Sequence, residues 1–211
     1  MHDLVIFDCD GVLVDSEVLS NQVIVDNLAG YGVHLSLNEC MSLFVGGTMT
    51  GVRDKARALG ADLPDAWTDQ IYAETYEVLR AGTPLIEGIP ELLAQLDAQG
   101  IPYCVASNGR PEKMQITLGQ NGLWDRFSKV MFSAYALGIG KPDPTMFLTA
   151  ARHFDAKSPV VIEDSANGVT AAIRAEMRCL GYAAHDDGAR LAALGAEVFS
   201  DMAQAPQLLG L

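Results

Sequence analysis

Two aspartates stand at alternate positions in Asp8-Cys9-Asp10-Gly11-Val12-Leu13-Val14-Asp15-Ser16, directly behind the apolar run Leu4-Val5-Ile6-Phe7. That run has the length and composition of a buried strand, so the acids fall at its carboxyl end. Carboxylates do nothing for strand packing and are costly to desolvate, which points to chemistry. Such a pair can divide labour, one acid attacking or binding metal while the other trades protons. Three further sets follow: Ser107-Asn108-Gly109, Lys141-Pro142-Asp143-Pro144 and Glu163-Asp164-Ser165. The Ser107 hydroxyl and the Asn108 amide can donate to phosphate oxygens, and Lys141 supplies a point charge against them or against Asp8. Several carboxylates at one place repel unless a hard cation sits among them, and Mg²⁺ takes oxygen ligands of this kind. Two of these residues have simpler readings as well. Ser107 can be the cap of a helix opening at Pro111, and Asp143 reads as the cap of a helix with Pro144 at its first position. Asp15 organises the chain where it leaves the first strand.

These sets need a scaffold that brings them to one rim. Residues 16–28, 36–45, 50–59 and 65–79 carry helical spacing, with Ser36-Leu37-Asn38-Glu39 as a capping box. No strand pattern interrupts residues 15–84, which is too long for a connection and reads as an inserted helical domain. From residue 85 helices and strands alternate: helix 90–99, strand 101–106, helix 111–120, strand 129–132, helix 144–154, strand 160–162, helix 168–175, strand 177–181 and a last strand near 197–199. Alternation of this kind implies a parallel sheet with right-handed crossovers, and ligands bind beyond the carboxyl ends of its strands. All four sets fall there.

The 211 residues are 49% apolar and 19% charged, enough for one sizeable core plus a small inserted domain. The net charge of −13 argues against nucleic acid or an anionic membrane surface as partner. It does not exclude an anionic small substrate, because a bound cation reverses the local sign. Cys9, Cys40, Cys104 and Cys179 are scattered without a Cys-x-x-Cys pair, which suits reduced, buried thiols in a cytoplasmic protein. No leader is expected before the first strand, and no apolar run reaches the ~20 residues of a membrane helix. A monomer or weak dimer is expected.

The Asp-x-Asp-Gly-Val-Leu-Val-Asp-Ser run, Ser107-Asn108, Lys141-Pro142-Asp143-Pro144 and Glu163-Asp164-Ser165-x-x-Gly168 resemble the four motifs of the haloacid dehalogenase superfamily. The likeness covers the whole chain and is to the branch of phosphosugar phosphatases and β-phosphoglucomutase. It implies a Rossmann-like α/β core over 1–14 and 85–211, with a helical cap domain over 15–84. It implies Asp8 as nucleophile and Mg²⁺ ligand, and Asp10 as general acid/base that also gives its main-chain carbonyl to the metal. Asp164 would bind the metal directly and Glu163 directly or through water, while Ser107, Asn108 and Lys141 hold the transferring phosphate. Dehalogenases of this superfamily lack the second aspartate and need no Mg²⁺, so Asp10 and the Glu163-Asp164 pair argue against that chemistry.

The expected function is Mg²⁺-dependent hydrolysis of a small phosphorylated metabolite, a phosphosugar or sugar-acid phosphate, through a phospho-aspartate. The wording of residues 107–115 is similar to that of phosphatases acting on 6-phosphogluconate. A β-phosphoglucomutase-type mutase is the alternative, and a non-catalytic metabolite binder the alternative of another class. The mutases carry a histidine, a lysine and an arginine in the cap where this chain has Ser20, Val45 and Met49, which favours the phosphatase. Arg53, one turn beyond Met49, is expected to meet an anionic end of the substrate, with Asn21, Thr48 and Lys55 as lesser specificity candidates.

Overall fold

The computed structural model describes residues 2–184 and 186–211. Six strands form one parallel sheet: β1 (Leu4–Phe7), β2 (Tyr103–Ser107), β3 (Met131–Ser133), β4 (Pro159–Glu163), β5 (Arg178–Tyr182) and β6 (Glu197–Phe199), in the order β3-β2-β1-β4-β5-β6. Between β1 and β2 run α1 (Glu17–Ala29), α2 (Leu37–Phe44), α3 (Met49–Ala58), α4 (Trp67–Ala81) and α5 (Ile89–Gln99). Thereafter come α6 (Pro111–Gln120), α7 (Trp124–Phe127), α8 (Ala134–Leu137), α9 (Thr145–His153), α10 (Ala166–Arg174), α11 (Ala189–Ala193) and α12 (Ala205–Leu209).

β1 is buried on both faces, so its side chains alternate between two apolar layers. Val5 and Phe7 pack with Leu92 and Leu96 of α5 and Leu118 of α6, whereas Leu4 and Ile6 pack with Phe147 of α9 and Val169 of α10. The first four helices close a third, separate core around Ile24, Leu28, Phe44, Trp67 and Ile71. Within it Trp67 is fully buried and donates its indole N–H to Asn27 Oδ1 over 2.7 Å, tying α4 to α1. The Ser36 capping box is formed, with Ser36 accepting from the Glu39 N–H and Glu39 accepting from the Ser36 N–H.

Two strands of chain connect this helical unit to the sheet, and they run beside one another. The Asp15 N–H donates to Pro84 O over 2.9 Å and the Ile86 N–H to Leu13 O over 3.1 Å. All four cysteines are buried and free. No helix among the described residues is long and apolar enough to cross a membrane.

Several elements differ in their bounds from the pattern. The strands expected at 101–106 and 129–132 fall at Tyr103–Ser107 and Met131–Ser133, because each pairs in register with its neighbour (Ser107 opposite Ser133). The helix expected at 168–175 begins at Ala166, since the Ser165 hydroxyl accepts from the Gly168 N–H and nucleates the turn earlier. α7, α8, α11 and α12 are too short to show a helical period.

Candidate active site

The chain reverses its winding direction at β1: β2 and β3 are added on one side, β4 to β6 on the other. A crevice opens at such a reversal beyond the strand ends. Asp8 sits at that point, its N–H still donating to Ile162 O of β4 over 2.9 Å. Beside it β2 delivers Ser107 and β4 delivers Glu163. Asp8, Asp10, Ser107, Asn108, Lys141, Glu163 and Asp164 all line one cavity of about 110 Å³ between the sheet and the first four helices.

Lys141 is the hinge of the charge arrangement. Its Nζ lies 2.5 Å from both Asp8 Oδ1 and Glu163 Oε1. Burial opposes its charge, but the two carboxylates outweigh burial and raise its pKa above the usual lysine range. Glu163 is fully buried, and its other oxygen accepts from the Asp164 N–H at 3.0 Å, the Ser165 N–H at 2.9 Å and the Ser165 hydroxyl at 3.0 Å. Every Glu163 lone pair that faces the loop is therefore engaged. Glu163 thus anchors Lys141 Nζ through one oxygen and the following loop through the other.

Asp10 is held differently. Its Oδ1 accepts from Lys113 Nζ at 2.8 Å and from the Ser16 hydroxyl. Neither partner was singled out in the sequence. Lys113 lies in the first turn of α6, where side chains point back toward the helix start and hence to the rim, and that offset from Ser107 is the signal that would have found it. Glu17 was missed in the same way: it opens α1 and turns into the cavity. Burial, then the charges of Asp10 and Asp8, push the Glu17 carboxyl up to about 8. Burial likewise lifts Asp8 to about 7, with Lys141 opposing and Glu163 and Asp10 adding to the rise. Asp164 is driven well above the carboxylate range by burial and by Glu17, Glu163 and Asp8.

The Ser107 hydroxyl accepts from the Gly109 N–H at 3.0 Å, closing a turn, so it does not cap α6, whose N-cap is Arg110. Its proton remains available to an anion. Asn108 is a strut: its Nδ2 donates to Gly46 O at 3.0 Å and Lys141 O at 3.1 Å, and its Oδ1 accepts from the Lys141 N–H at 2.8 Å. Asp143 accepts from the Thr145 N–H at 2.9 Å, but α9 begins at Thr145 with Pro144 as its N-cap, one residue later than expected, so Asp143 precedes the cap. The turn at Gly46 lies against the rim, where an added Cβ would stand 2.5 Å from that of Ser165. Gly11, at φ +80°, is equally constrained, because a Cβ there would meet Asp164 Oδ2 at 2.1 Å.

Of the expected specificity residues, Asn21 lines the cavity. Arg53 instead pairs with Asp54 at 3.0 Å, Lys55 donates to Leu43 O at 2.6 Å, and Thr48 caps α3 by accepting from the Gly51 N–H at 3.2 Å. Ser20, Val45 and Met49, the positions that differ from the mutase pattern, all face the cavity.

The Asp8 and Asp164 carboxylates and the oxygen-only donor set fit a hard cation. Burial first, and then like charge, raises the pKa of both, and no side-chain partner among the described residues engages Asp164. Among the described residues no group of three or more His, Cys, Asp or Glu side chains is placed to hold a metal ion.

A parallel sheet presenting an acid pair, a hydroxyl, a lysine and a second acid pair on one rim, under a helical cover, defines an anion-handling α/β enzyme. Residues 2–176 match the haloacid dehalogenase-like hydrolase model. The chain belongs to that family and is a hydrolase. It is 29% identical over 210 residues to 6-phosphogluconate phosphatase of Escherichia coli (strain K12), covering 98% of this chain and 94% of that protein. Hexitol phosphatase B of the same strain is 28% identical over 180 residues, covering 83% of this chain and 81% of its own. A crystal structure of a haloacid dehalogenase-like protein of unknown function from Agrobacterium tumefaciens strain C58 aligns at a TM-score of 0.85 and 31% identity, covering 100% of this chain and 98% of that one.

Proposed function

We propose that the protein is a Mg²⁺-dependent phosphatase that hydrolyses a small phosphorylated metabolite through a phosphoryl group carried on Asp8. The single observation that carries this reading is the clamp of Lys141 between Asp8 and Glu163, which holds a cation beside one buried carboxylate at a strand end. The clamp draws negative charge toward Asp8 and fixes its orientation for in-line attack on phosphorus. Asp8 Oδ attacks, the P–O bond to the leaving group breaks, and Asp10 gives its proton to the departing oxygen. Asp10 then takes a proton from water, which attacks the phospho-aspartate and frees phosphate. The Ser107 hydroxyl and Lys141 Nζ bind the transferring oxygens, and Asn108 aligns the Lys141 main chain. Lys113 and Ser16 hold the Asp10 carboxylate in place for both proton transfers.

Asp8, the Asp10 main-chain carbonyl and Asp164 would hold Mg²⁺, which when bound neutralises phosphoryl charge. Residues 15–84 form the cap and 1–14 with 85–211 the core, a division supported by the separate apolar core of the first four helices. The cap positions Ser20, Val45 and Met49 offer no base and no cation, which supports water over a second sugar hydroxyl as acceptor. Relatives named for a sugar-acid phosphate and a hexitol phosphate support a small phosphorylated metabolite as substrate. The test is phosphate release from a panel of phosphorylated sugars, polyols and sugar acids with Mg²⁺. Turnover that is lost on chelation and lost in Asp8→Asn supports the reading, and a folded protein that releases no phosphate from any of them refutes it.

A further inference from the structure

The structure carries the substrate question further, on the basis of the phosphatase reading. We propose that the leaving group is a neutral polyhydroxyl compound, a polyol or uncharged sugar, read by Ser20 and Glu17 on one face of α1, and that the site discriminates against leaving groups ending in a carboxylate or a second phosphate.

The inference starts from a polar atom with nothing to bind. Ser20 is 8% exposed, lines the cavity, and its Oγ has no hydrogen-bond partner. A buried hydroxyl left unpaired is costly, so it is a group awaiting a partner. The other cavity-facing polar groups of the cap are already engaged. Thr75 donates to Ile71 O at 2.7 Å, and Tyr72 shares a 3.0 Å hydrogen bond with the Tyr135 hydroxyl. Asn21 donates to Glu17 O at 2.9 Å while its Oδ1 accepts from the Cys40 thiol. Glu17 precedes Ser20 by three residues, which puts both on one helix face. No side-chain partner among the described residues engages the Glu17 carboxylate. Together they offer one hydroxyl and one strong acceptor, which matches adjacent alcohol groups of a ligand.

What the wall lacks is as telling. Among the described residues no cation of the first four helices lines the cavity, and Ile24, Phe44, Val45, Met49 and Val52 supply its apolar remainder. Its two lysines, Lys113 and Lys141, belong to the core and are paired with Asp10 and with Asp8 and Glu163. The cap cations nearby face elsewhere, as Arg53 on Asp54 and Lys55 on Leu43 O demonstrate. Arg110, at the start of α6, is held by Asp69 at 2.7 Å over the Tyr72 ring. A ligand carboxylate would therefore find no cap cation to pair with, whereas a hydroxyl can hydrogen-bond with Ser20 and with the Glu17 carboxyl.

The experiment compares two phosphates of one carbon skeleton, glucitol 6-phosphate and 6-phosphogluconate, with p-nitrophenyl phosphate as a third substrate, all with Mg²⁺. The expected result is a kcat/KM at least tenfold higher for glucitol 6-phosphate than for 6-phosphogluconate. Ser20→Ala should lower the glucitol 6-phosphate value roughly fivefold, the worth of one neutral hydrogen bond. Met49→Lys, which puts a cation on the wall, should narrow or reverse the ratio. Equal or better turnover of 6-phosphogluconate overturns the inference, as does turnover of p-nitrophenyl phosphate alone. No turnover of any of the three overturns the phosphatase reading beneath it.

Discussion

Gly168→Ala tests the Lys141 clamp without touching a charged group. A Cβ at this position would lie 1.8 Å from Glu163 Cδ and Oε1 and 2.2 Å from Oε2. Ordinary contact needs ~3.5 Å, so the carboxylate must retreat by more than an ångström. Its hydrogen bonds to Ser165 stand at 2.9 and 3.0 Å and would pass beyond bonding range. The Lys141 contact at 2.5 Å moves with them. Disrupting a buried pair costs ~3–5 kcal/mol. For a chain of this size that corresponds to a fall in Tm of roughly 6–20 °C. Differential scanning fluorimetry gives the Tm, and phosphate release should fall at least tenfold because Lys141 loses one anchor. Gly119→Ala in α6 is the control, since its added Cβ meets nothing within 4 Å. It should leave Tm unchanged or raise it slightly. A Gly168→Ala protein with the parent Tm and turnover would refute the clamp.

Three further expectations follow from the charges and the cap contacts. In EDTA, Asp8 near 7 and Glu17 near 8 retain protons that the unfolded chain has released above ~4, so stability should fall as pH rises from about 4 to about 8. The raised pKa of Lys141 acts in the same direction, its stabilising charge being lost as pH rises, but only in alkaline solution, outside that window. Tm measured across this range should slope downward, and a flat or rising profile would contradict the clustered carboxylates. Saturating Mg²⁺ should raise Tm at neutral pH, by ~2.7 kcal/mol of stability at a hundred times Kd, and Asp164→Asn should abolish most of that rise; an undiminished shift removes Asp164 as a ligand. Arg110→Ala removes a guanidinium 4.2 Å from the Tyr72 ring and 5.2 Å from that of Tyr135, which joins α4 to the core. The expected loss is ~0.5–2 kcal/mol, read as faster hydrogen exchange in α4, and unchanged exchange there would show that the contact does not hold the cap.

Much of the site was legible because its residues sit at strand ends, where burial and turn geometry leave little freedom. Asp8, Ser107, Lys141 and Asp164 reach one cavity as their spacing implied. The helices were harder to read for function. Glu17 and Lys113 lie in first helical turns, where a charged residue is ordinarily a dipole partner, and only the packing of α1 and α6 against the rim turns them inward. Arg53 went the other way: a long side chain one turn beyond Met49 reaches the cavity in principle, but its adjacent Asp54 gives it a nearer partner. The contacts of Glu163 were not legible either, because alternation along β4 turns its side chain toward Gly168 and toward Lys141, which is distant from it in sequence. The orphaned hydroxyl of Ser20 has no sequence signature at all, since it depends on which neighbours have already found partners.

The most direct test of the central claim is to trap the covalent intermediate. Rapid acid quench during turnover of a substrate radiolabelled in its phosphoryl group, followed by peptide mapping, should place the label on the peptide containing Asp8. The label should vanish in Asp8→Asn. Steady turnover with no labelled carboxylate, or label on any other residue, would contradict the account.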